Sequence, residues 1–163
     1  MNPADKIERR AIDSLIPYAL NARTHSEAQV KQLAASIREW GFTMPVLIDE
    51  HGGIIAGHGR VLAAKSLDMR VVPCVTARGW SDAQKRAYVI ADNKLALNAG
   101  WDIETLAAEL RALDTGELDI ELVGFGTGEL ENLLTFAPMP QPQVERTCPK
   151  CGHCWQESSG AAD

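Results

Sequence analysis

The stretch IIAGHGRVLAA, residues 54–64, joins a β-branched segment to a helix-forming segment through a glycine-rich turn. The first turn of a helix leaves backbone N–H groups without intrahelical partners, so such a turn can bind an anion. Gly57 and Gly59 let the backbone approach a phosphate closely. Arg60 adds a planar charge suited to phosphate oxygens, and His58 is a donor or an acid/base near neutral pH. A plain strand–helix turn with Arg60 salt-bridged on the surface is the alternative interpretation.

The segments around this turn predict alternating strands and helices. A short strand and an extended loop come first; Ser26 and Gln29 then have the spacing of a capping box, and the helix that follows is predicted to stop at Gly41. MPVLIDE, residues 44–50, predicts a strand that pairs with the strand before Gly57 as a hairpin. MRVVPCVTA, residues 69–77, predicts a third strand.

The second half of the chain predicts mainly helices. Ser81 and Gln84 form a second capping box that opens a helix through about Asp92, and NKLALNAGW continues as helix or tight turn. A further helix begins after Asp102. LDIELVGF, residues 118–125, predicts a strand or extended edge, and GTGELENLL predicts a last short helix. The expected fold class is therefore α+β.

Composition and charge limit the classes of protein. The chain has 163 residues, of which 45% are hydrophobic, the size and composition of one globular domain with small appendages. No apolar run approaches the roughly 20 residues that span a bilayer, and the charged start lacks a secretory signal. We therefore expect a cytoplasmic protein with no membrane association.

The net charge of −6 is distributed unevenly. Residues 1–100 contain 13 Lys or Arg and 10 Asp or Glu, whereas residues 101–163 contain 3 and 12. The acidic total argues against non-specific coating of nucleic acid, which requires the neutralisation of many phosphates. We expect any DNA contact to come from the first hundred residues. Such binding should be weak and largely independent of the DNA sequence.

The cysteines and aromatic residues have simple expected places. Cys74 lies in the apolar run VVPCV and is predicted to be buried. The aromatic residues are predicted to pack in the core or at its rim; they include Trp40, Phe42, Trp80 and Trp101.

A change in composition near residue 136 predicts three parts: a domain over residues 1–136, a proline-rich linker over 137–147 and a tail over 148–163. The tail resembles one knuckle of a zinc ribbon. Its candidate Zn²⁺ ligands are Cys148, Cys151, Cys154 and His153. A disordered half-ribbon without metal is the alternative.

Residues 21–64, NARTHSEAQVKQLAASIREWGFTMPVLIDEHGGIIAGHGRVLAA, together with ADNKLALNAGWD, residues 91–102, resemble the N-terminal domain of the ParB partition proteins. The resemblance covers roughly residues 7–135 and implies the ParB/sulfiredoxin fold, a small mixed β-sheet with flanking helices. It is strongest to the short phage and prophage proteins that often accompany, or are fused to, DNA methyltransferases.

The resemblance implies a nucleotide site with Mg²⁺. The matched nucleotide- and phosphate-binding residues are Arg23, Thr43, Gly57, His58, Gly59, Arg60, Asn93 and Lys94. Asp92 is the candidate magnesium ligand, and Asp92 and His58 are the candidate catalytic residues. Exposure at a helix end is the alternative for Asp92, and a plain surface position is the alternative for Asn93 and Lys94.

The sequence also departs from the partition proteins. His58 and Gly59 stand where those proteins have an acid and a first arginine, so ATP or another phosphate ligand fits as well as CTP. The sulfiredoxin cysteine is absent from the turn, which argues against reductase chemistry. No helix-turn-helix is predicted after residue 100, so the sequence does not predict the reading of a centromere sequence.

Three functions follow from these observations. The leading hypothesis is a ParB-like phosphate- or nucleotide-binding module in phage or plasmid DNA metabolism, with a DNA methyltransferase and a second copy of the chain as further partners. A slow NTPase or a metal-dependent nuclease is the second, although Asp49, Glu50 and Asp92 form no clear two-metal set. A protein-interaction adaptor, suggested by the acidic helices after residue 101, is the third.

Overall fold

The computed structural model describes residues 6–19, 21, 23–116, 118–136, 145–147 and 154–156. Within these residues the strands are β1 (Ile7–Ala11), β2 (Val46–Ile48), β3 (Ile54–Ala56), β4 (Val71–Thr76), β5 (Glu145–Thr147) and β6 (Cys154–Gln156). The α-helices are α1 (Glu27–Trp40), α2 (His58–Ser66), α3 (Asp82–Asn98), α4 (Ile103–Leu113) and α5 (Thr127–Phe136). Short 3-10 helices cover Ile12–Ser14 and Ile120–Val123.

The chain divides into two compact units. The first contains the chain through Gly100 together with Glu121–Phe125, and the second contains Trp101–Ile120 and the chain from Gly126. In the second unit, α4 packs against α5 around the buried residues Ala107, Leu110 and Leu130. None of the helices in the described part of the chain has the length and apolar character that a bilayer-spanning segment requires.

A four-stranded mixed sheet forms the centre of the first unit, which confirms the predicted α+β class. Its strand order is β1-β4-β2-β3. The β1–β4 and β2–β3 pairs are antiparallel, and β2 and β4 are parallel. The parallel pair needs a crossover, which α2 supplies between β3 and β4. The predicted hairpin is thus the β2–β3 pair, and α2 begins directly after its second strand.

The sheet is buried on two sides. Alternate residues of β4 lie in a cluster that includes Val46, Ile48, Val72 and Cys74, each at most 1% exposed. The other cluster joins Leu47, Ile55, Ala56, Ala77 and Val89. This arrangement confirms that Cys74 is buried, and burial raises the pKa of its thiol.

The predicted helix starts are correct. The Ser26 hydroxyl accepts the Gln29 N–H at 3.2 Å, and Ser81 with Gln84 forms a complete capping box. The Asp102 carboxylate accepts the Thr105 N–H at 3.0 Å. Because each cap satisfies an N–H that has no intrahelical partner, these local signals are reliable in sequence.

The helix predicted through about Asp92 continues without a break to Asn98, which is one of the two outcomes expected for NKLALNAGW. Two other expectations need correction. Residues 118–125, predicted as a strand or extended edge, contain a 3-10 helix at Ile120–Val123 that is followed by Gly124 with φ 93°. Trp40 and Trp101 are 47% and 67% exposed, so neither is a core residue. Short apolar runs and single tryptophans carry no periodicity, so the sequence alone does not distinguish these outcomes.

The predicted tail lies mostly outside the described residues. Cys148, Cys151 and His153 are in the part of the chain that the structure does not describe, and Cys154 is described only as backbone at the start of β6. The β5–β6 pair is antiparallel, with Thr147 opposite Cys154. The Zn²⁺ site therefore stays a prediction.

Helices α1 and α2 meet at Gly59, which is buried. A Cβ atom on Gly59 would lie 2.9 Å from His25 Cε1 and 2.9 Å from Leu33 Cδ1. Separations this short require neighbouring atoms to move, because protein interiors are close-packed. The second glycine of the turn is therefore needed for packing between the helices.

Asp49 stabilises the turn between β2 and β3. Its carboxylate accepts the N–H of His51 at 2.9 Å and of Gly53 at 2.8 Å, and it pairs with Lys85 Nζ at 3.2 Å. Burial raises the pKa of Asp49, but the hydrogen bonds from Gly53, His51 and Lys85 outweigh burial and hold the pKa below its ordinary value of 3.8.

We expect Asp49→Ala to lower the free energy of unfolding by about 1–2 kcal/mol at neutral pH, because two backbone donors and Lys85 lose their acceptor. A depressed folded-state pKa contributes stability above the ordinary value and loses it as pH falls through the folded value. The difference between wild type and variant should therefore shrink below pH 3.8. Chemical denaturation at several pH values measures it. The exposed Asp13→Ala is the control and should leave the free energy of unfolding at neutral pH within about 0.5 kcal/mol of wild type.

We expect Gly59→Ala to lower the free energy of unfolding by about 1 kcal/mol or more, since its methyl group would meet His25 and Leu33. Gly128→Ala is the matched control, because a Cβ atom there meets nothing within 4 Å. That variant should be neutral or more stable by about 0.5 kcal/mol. Thermal unfolding compares the two. Equal stability of both variants would show that the contact at Gly59 relaxes without cost.

Candidate functional site

The glycine turn between β3 and α2 has the geometry expected of an anion site. Gly57 is the N-cap of α2 and has φ 100°, a conformation that L side chains rarely adopt. The first intrahelical hydrogen bond runs from the Val61 N–H to the Gly57 carbonyl, at 3.1 Å. The N–H groups of the first turn, at residues 58–60, therefore have no intrahelical acceptor and point out of the N-terminal end of the helix.

A cavity of about 400 Å³, here named the turn cavity, opens at this helix start. It is lined by Asn21, Arg23, His25, Gln29, Leu33, Ile55, Ala56, Gly57, His58, Gly59, Arg60, Asp92, Asn93 and Ala96. Of the predicted phosphate-binding residues, all but Thr43 and Lys94 are in this lining. Thr43 is exposed, and Lys94 lines a neighbouring cavity. The structure thus brings together segments that are far apart in sequence, and their role in binding stays a prediction.

The Arg60 side chain lies beside Gly57 of the glycine turn. Its Nη1 donates to the Met44 carbonyl, and its Nη2 lies 3.1 Å from the place where a Cβ on Gly57 would stand. Burial lowers the pKa of Arg60 from its ordinary value of 12.5, and the nearby Asp92 carboxylate opposes that change. A guanidinium keeps its proton under such conditions, so Arg60 supplies a partly desolvated positive charge to the cavity.

His58 is fixed in one tautomer. Its Nε2 accepts the Tyr18 N–H at 3.2 Å, so the neutral ring carries its proton on Nδ1. Burial lowers the pKa of His58 from its ordinary value of 6.5, and the neighbouring His25 adds to the effect. His58 is therefore neutral at pH 7. It anchors the loop before α1, with Nδ1–H left as its donor.

His25 and Gln29 are site residues that sequence reasoning missed. The His25 Nδ1 lies 3.0 Å from Gln29 Oε1, and both side chains line the turn cavity. Gln29 was expected to complete a capping box with Ser26, but its side chain contacts His25 instead. The available signal in the sequence was the position of His25, which stands directly before Ser26, the N-cap residue of α1.

Arg23 and Asn93 are positioned by short-range hydrogen bonds. The Asn21 side chain accepts the Arg23 N–H at 3.2 Å and donates to the Arg23 carbonyl at 3.1 Å. Asn93 Nδ2 donates to the Val89 carbonyl at 2.8 Å, which holds that amide against α3. Asp92 is exposed within α3, so it does not end a helix.

The carboxylates predicted as nuclease candidates lie in different places. Asp49 is engaged in the hairpin turn, and Glu50 Oε2 accepts the Gly79 N–H at 3.3 Å. Only Asp92 of the three lines the turn cavity. Within the described ranges, no group of three or more His, Cys, Asp or Glu side chains comes together in a way that would hold a metal ion.

A neighbouring cavity of about 310 Å³, the α3 cavity, adjoins the turn cavity. The two share Asn21, Arg23 and Asn93. Arg86 and Lys94 also line it, so cationic groups continue along α3 beyond the glycine turn.

Comparison with known proteins gives consistent matches. The ParB N-terminal domain matches residues 2–94, and the ParB-methyltransferase HTH domain matches residues 104–150. The chain is 57% identical over 81 residues to the ParB-like nuclease domain-containing protein YnaK of Escherichia coli K12, covering 50% of this chain and 93% of that protein.

More distant relatives extend the match. The nucleoid occlusion protein of Bacillus licheniformis is 28% identical over 151 residues, which cover 86% of this chain and 53% of the relative, so the chain spans about half the length of that protein. The C-terminally truncated chromosome-partitioning protein ParB of Caulobacter crescentus, solved with CTP-gamma-S, is 23% identical with a TM-score of 0.64. That structure covers 78% of this chain and 76% of its own, and it shows the shared fold.

The match over residues 104–150 overturns the expectation that no helix-turn-helix follows residue 100. Helices α4 and α5 lie in that stretch and pack together. Residues 101–136 contain nine Asp or Glu and one Arg, so this segment lacks the basic composition that is typical of a DNA-contacting segment. With both segments matched in order, the chain belongs to the ParB family, with a ParB N-terminal domain followed by a ParB-methyltransferase HTH domain.

Proposed function

We propose that the turn cavity binds the phosphates of a nucleoside triphosphate and that the protein acts as a nucleotide-binding module in DNA metabolism. The observation that carries the proposal is the convergence of Arg23, Arg60 and the free first turn of α2 on one cavity. Phosphate binding at a helix N-terminus combines unpaired N–H donors with the positive end of the helix dipole. The ParB of Caulobacter crescentus, which has this fold, was solved with CTP-gamma-S and supports a nucleotide as the ligand class.

The residues of the cavity have distinct roles in this proposal. The N–H groups at residues 58–60 bind the phosphate oxygens, and Gly57 lets the backbone take the required turn. Arg60 and Arg23, which both line the cavity, provide positive charge. His58 donates from Nδ1, because its Nε2 already accepts the Tyr18 N–H. The base is not assigned, since His58 and Gly59 differ from the partition proteins at this turn.

Mg²⁺ fits the chemistry of this cavity. Magnesium is commonly bound by one or two carboxylates together with substrate phosphates and water. Asp92 is a carboxylate in the turn cavity that lies near enough to Arg60 to affect its pKa. We propose Asp92 as the protein ligand of a magnesium ion that enters with the nucleotide and neutralises part of its charge.

The wider role is also a proposal. The matched domain description, ParB-methyltransferase HTH, supports a DNA methyltransferase as a partner in phage or plasmid DNA metabolism. DNA is a proposed partner because relatives of the chain are chromosome-partitioning proteins. A second copy of this chain is also proposed, from the sequence resemblance alone. A cytoplasmic location, the limits of the domains at residues 136 and 147, and Zn²⁺ in the tail stay predictions.

Slow triphosphate hydrolysis is the second candidate function. Asp92 and His58, the candidate catalytic residues, line the same cavity as the phosphate-binding turn, which favours this activity over one at a separate site. Release of inorganic phosphate, measured with and without a chelator during the binding experiments, separates a binder from an enzyme.

We expect Arg60→Ala to weaken triphosphate binding by ~1.5–3 kcal/mol, because a charge-assisted contact at the helix start is lost. Lys65→Ala is the matched control: it removes the same charge from an exposed position on α2, about 7.5 Å of helix rise away. That variant should bind within about twofold of wild type. Calorimetry with ATP, CTP, GTP and UTP in the presence of Mg²⁺ measures the affinities.

Circular dichroism and thermal unfolding check the fold of Arg60→Ala, since this side chain also donates to the Met44 carbonyl. A folded Arg60→Ala protein that binds every nucleotide as tightly as wild type would remove the turn cavity as the phosphate site.

A further inference from the structure

Three cavities lie next to one another along α3. The turn cavity and the α3 cavity share the lining residues Asn21, Arg23 and Asn93. The α3 cavity shares Tyr18, Arg86 and Val89 with a third cavity of about 390 Å³. We name this row of three cavities the α3 groove. It extends from the glycine turn toward the N-terminal end of α3.

The α3 groove has cationic groups that the fold does not use. Arg86 and Lys94 form no ion pair with any described residue, whereas the neighbouring Lys85 is paired with Asp49 and Asp82. Arg86 is exposed, and Lys94 lies two turns further along the same helix face. With Arg23 and Arg60, these two residues give the groove four positive charges that form no ion pair with a described residue. Its lining also contains Lys85, which is paired with Asp49 and Asp82, and the carboxylate of Asp92.

Apolar side chains alternate with these cations. Ile90 and Leu97 are 67% and 63% exposed and line the α3 cavity beside Arg86 and Lys94. Positions 86, 90, 94 and 97 fall on one helix face and extend over about 16 Å at 1.5 Å per residue. A face of this kind offers charge to a phosphate chain and apolar contact to the rings attached to it.

We propose that the α3 groove binds a short segment of single-stranded nucleic acid, whose terminal phosphate occupies the turn cavity. The proposal rests on the proposed phosphate site, and it extends that site beyond a mononucleotide. Proteins that bind single strands combine a positive groove along the backbone with surfaces on which bases pack. Tyr18, at the junction of two cavities, is the aromatic side chain placed for such packing.

A single strand fits these features better than a duplex does. Arg23 is partly buried and lines two of the cavities, whereas Arg86 and Lys94 are exposed along the groove. A flexible strand can follow a groove of this kind with its bases turned toward Ile90 and Leu97. A stiff duplex keeps its bases stacked inside, so these apolar side chains would gain nothing from it.

Fluorescence anisotropy with labelled eight-nucleotide oligothymidylate and oligouridylate, each with a 5′-phosphate, tests the proposal in the full chain. Neutralisation of four phosphates predicts a slope of about −3 in a plot of log affinity against log salt. Arg86→Ala should weaken binding by about three- to tenfold and make the slope shallower by about 0.7. ATP with Mg²⁺ should bind Arg86→Ala as it binds wild type.

Arg38→Ala is the matched control, because it removes the same charge from an exposed position on α1, outside the groove lining. It should leave oligonucleotide binding unchanged within about twofold. Alanine is a good helix former, so both variants are expected to fold. A preference for oligothymidylate or oligouridylate then tells whether the strand is DNA or RNA.

Several results would overturn the proposal: equal weakening by Arg38→Ala and Arg86→Ala, no effect of Arg86→Ala, or tighter binding of a duplex of the same length. The two proposals fail separately. Nucleotide binding without oligonucleotide binding overturns the groove and leaves the phosphate site. Oligonucleotide binding that depends on Arg86, in a protein that binds no free nucleotide, supports the groove and overturns the mononucleotide function.

Discussion

The close contact of α1 with α2 at Gly59 is the constraint on which the candidate site depends. His25 and Leu33 occupy the space that any side chain at Gly59 would fill. This contact places the start of α2 against α1 and the residue before its N-cap, so that His25 and the first turn of α2 line the same cavity. Gly57 makes the constraint compatible with β3, because its positive φ turns the chain from the sheet into the helix within one residue.

Much of the fold was predictable because its signals are local. The caps at Ser26, Ser81 and Asp102 each depend on an oxygen and an N–H within four residues. The hairpin and the glycine turn were predictable for the same reason. The parallel pairing of β2 with β4 was not, because no local pattern records which distant strand lies alongside. The family resemblance supplied the mixed sheet that spacing alone did not.

The candidate site was predictable in part, and the failures have physical causes. The residues of the glycine turn were found because they are contiguous, and Arg23 and Asn93 because the resemblance placed them. His25 was missed since its position depends on helix packing. The carboxylates show the same limit: Asp49 and Asp92 look alike in sequence, yet one receives hydrogen bonds from a turn and the other faces a cavity.

The topology of the sheet has a consequence for the order of folding. The hairpin of β2 and β3 closes a loop of a few residues, whereas Ile7 of β1 and its partner Val75 are 68 residues apart in the sequence. Contacts so distant in sequence carry the largest loop-closure entropy and slow the folding of the domains that need them. Since β1 is also an edge strand, it joins a sheet whose other strands already support one another. We therefore expect the N-terminal segment to pair last, after the part of the unit that contains the glycine turn has formed.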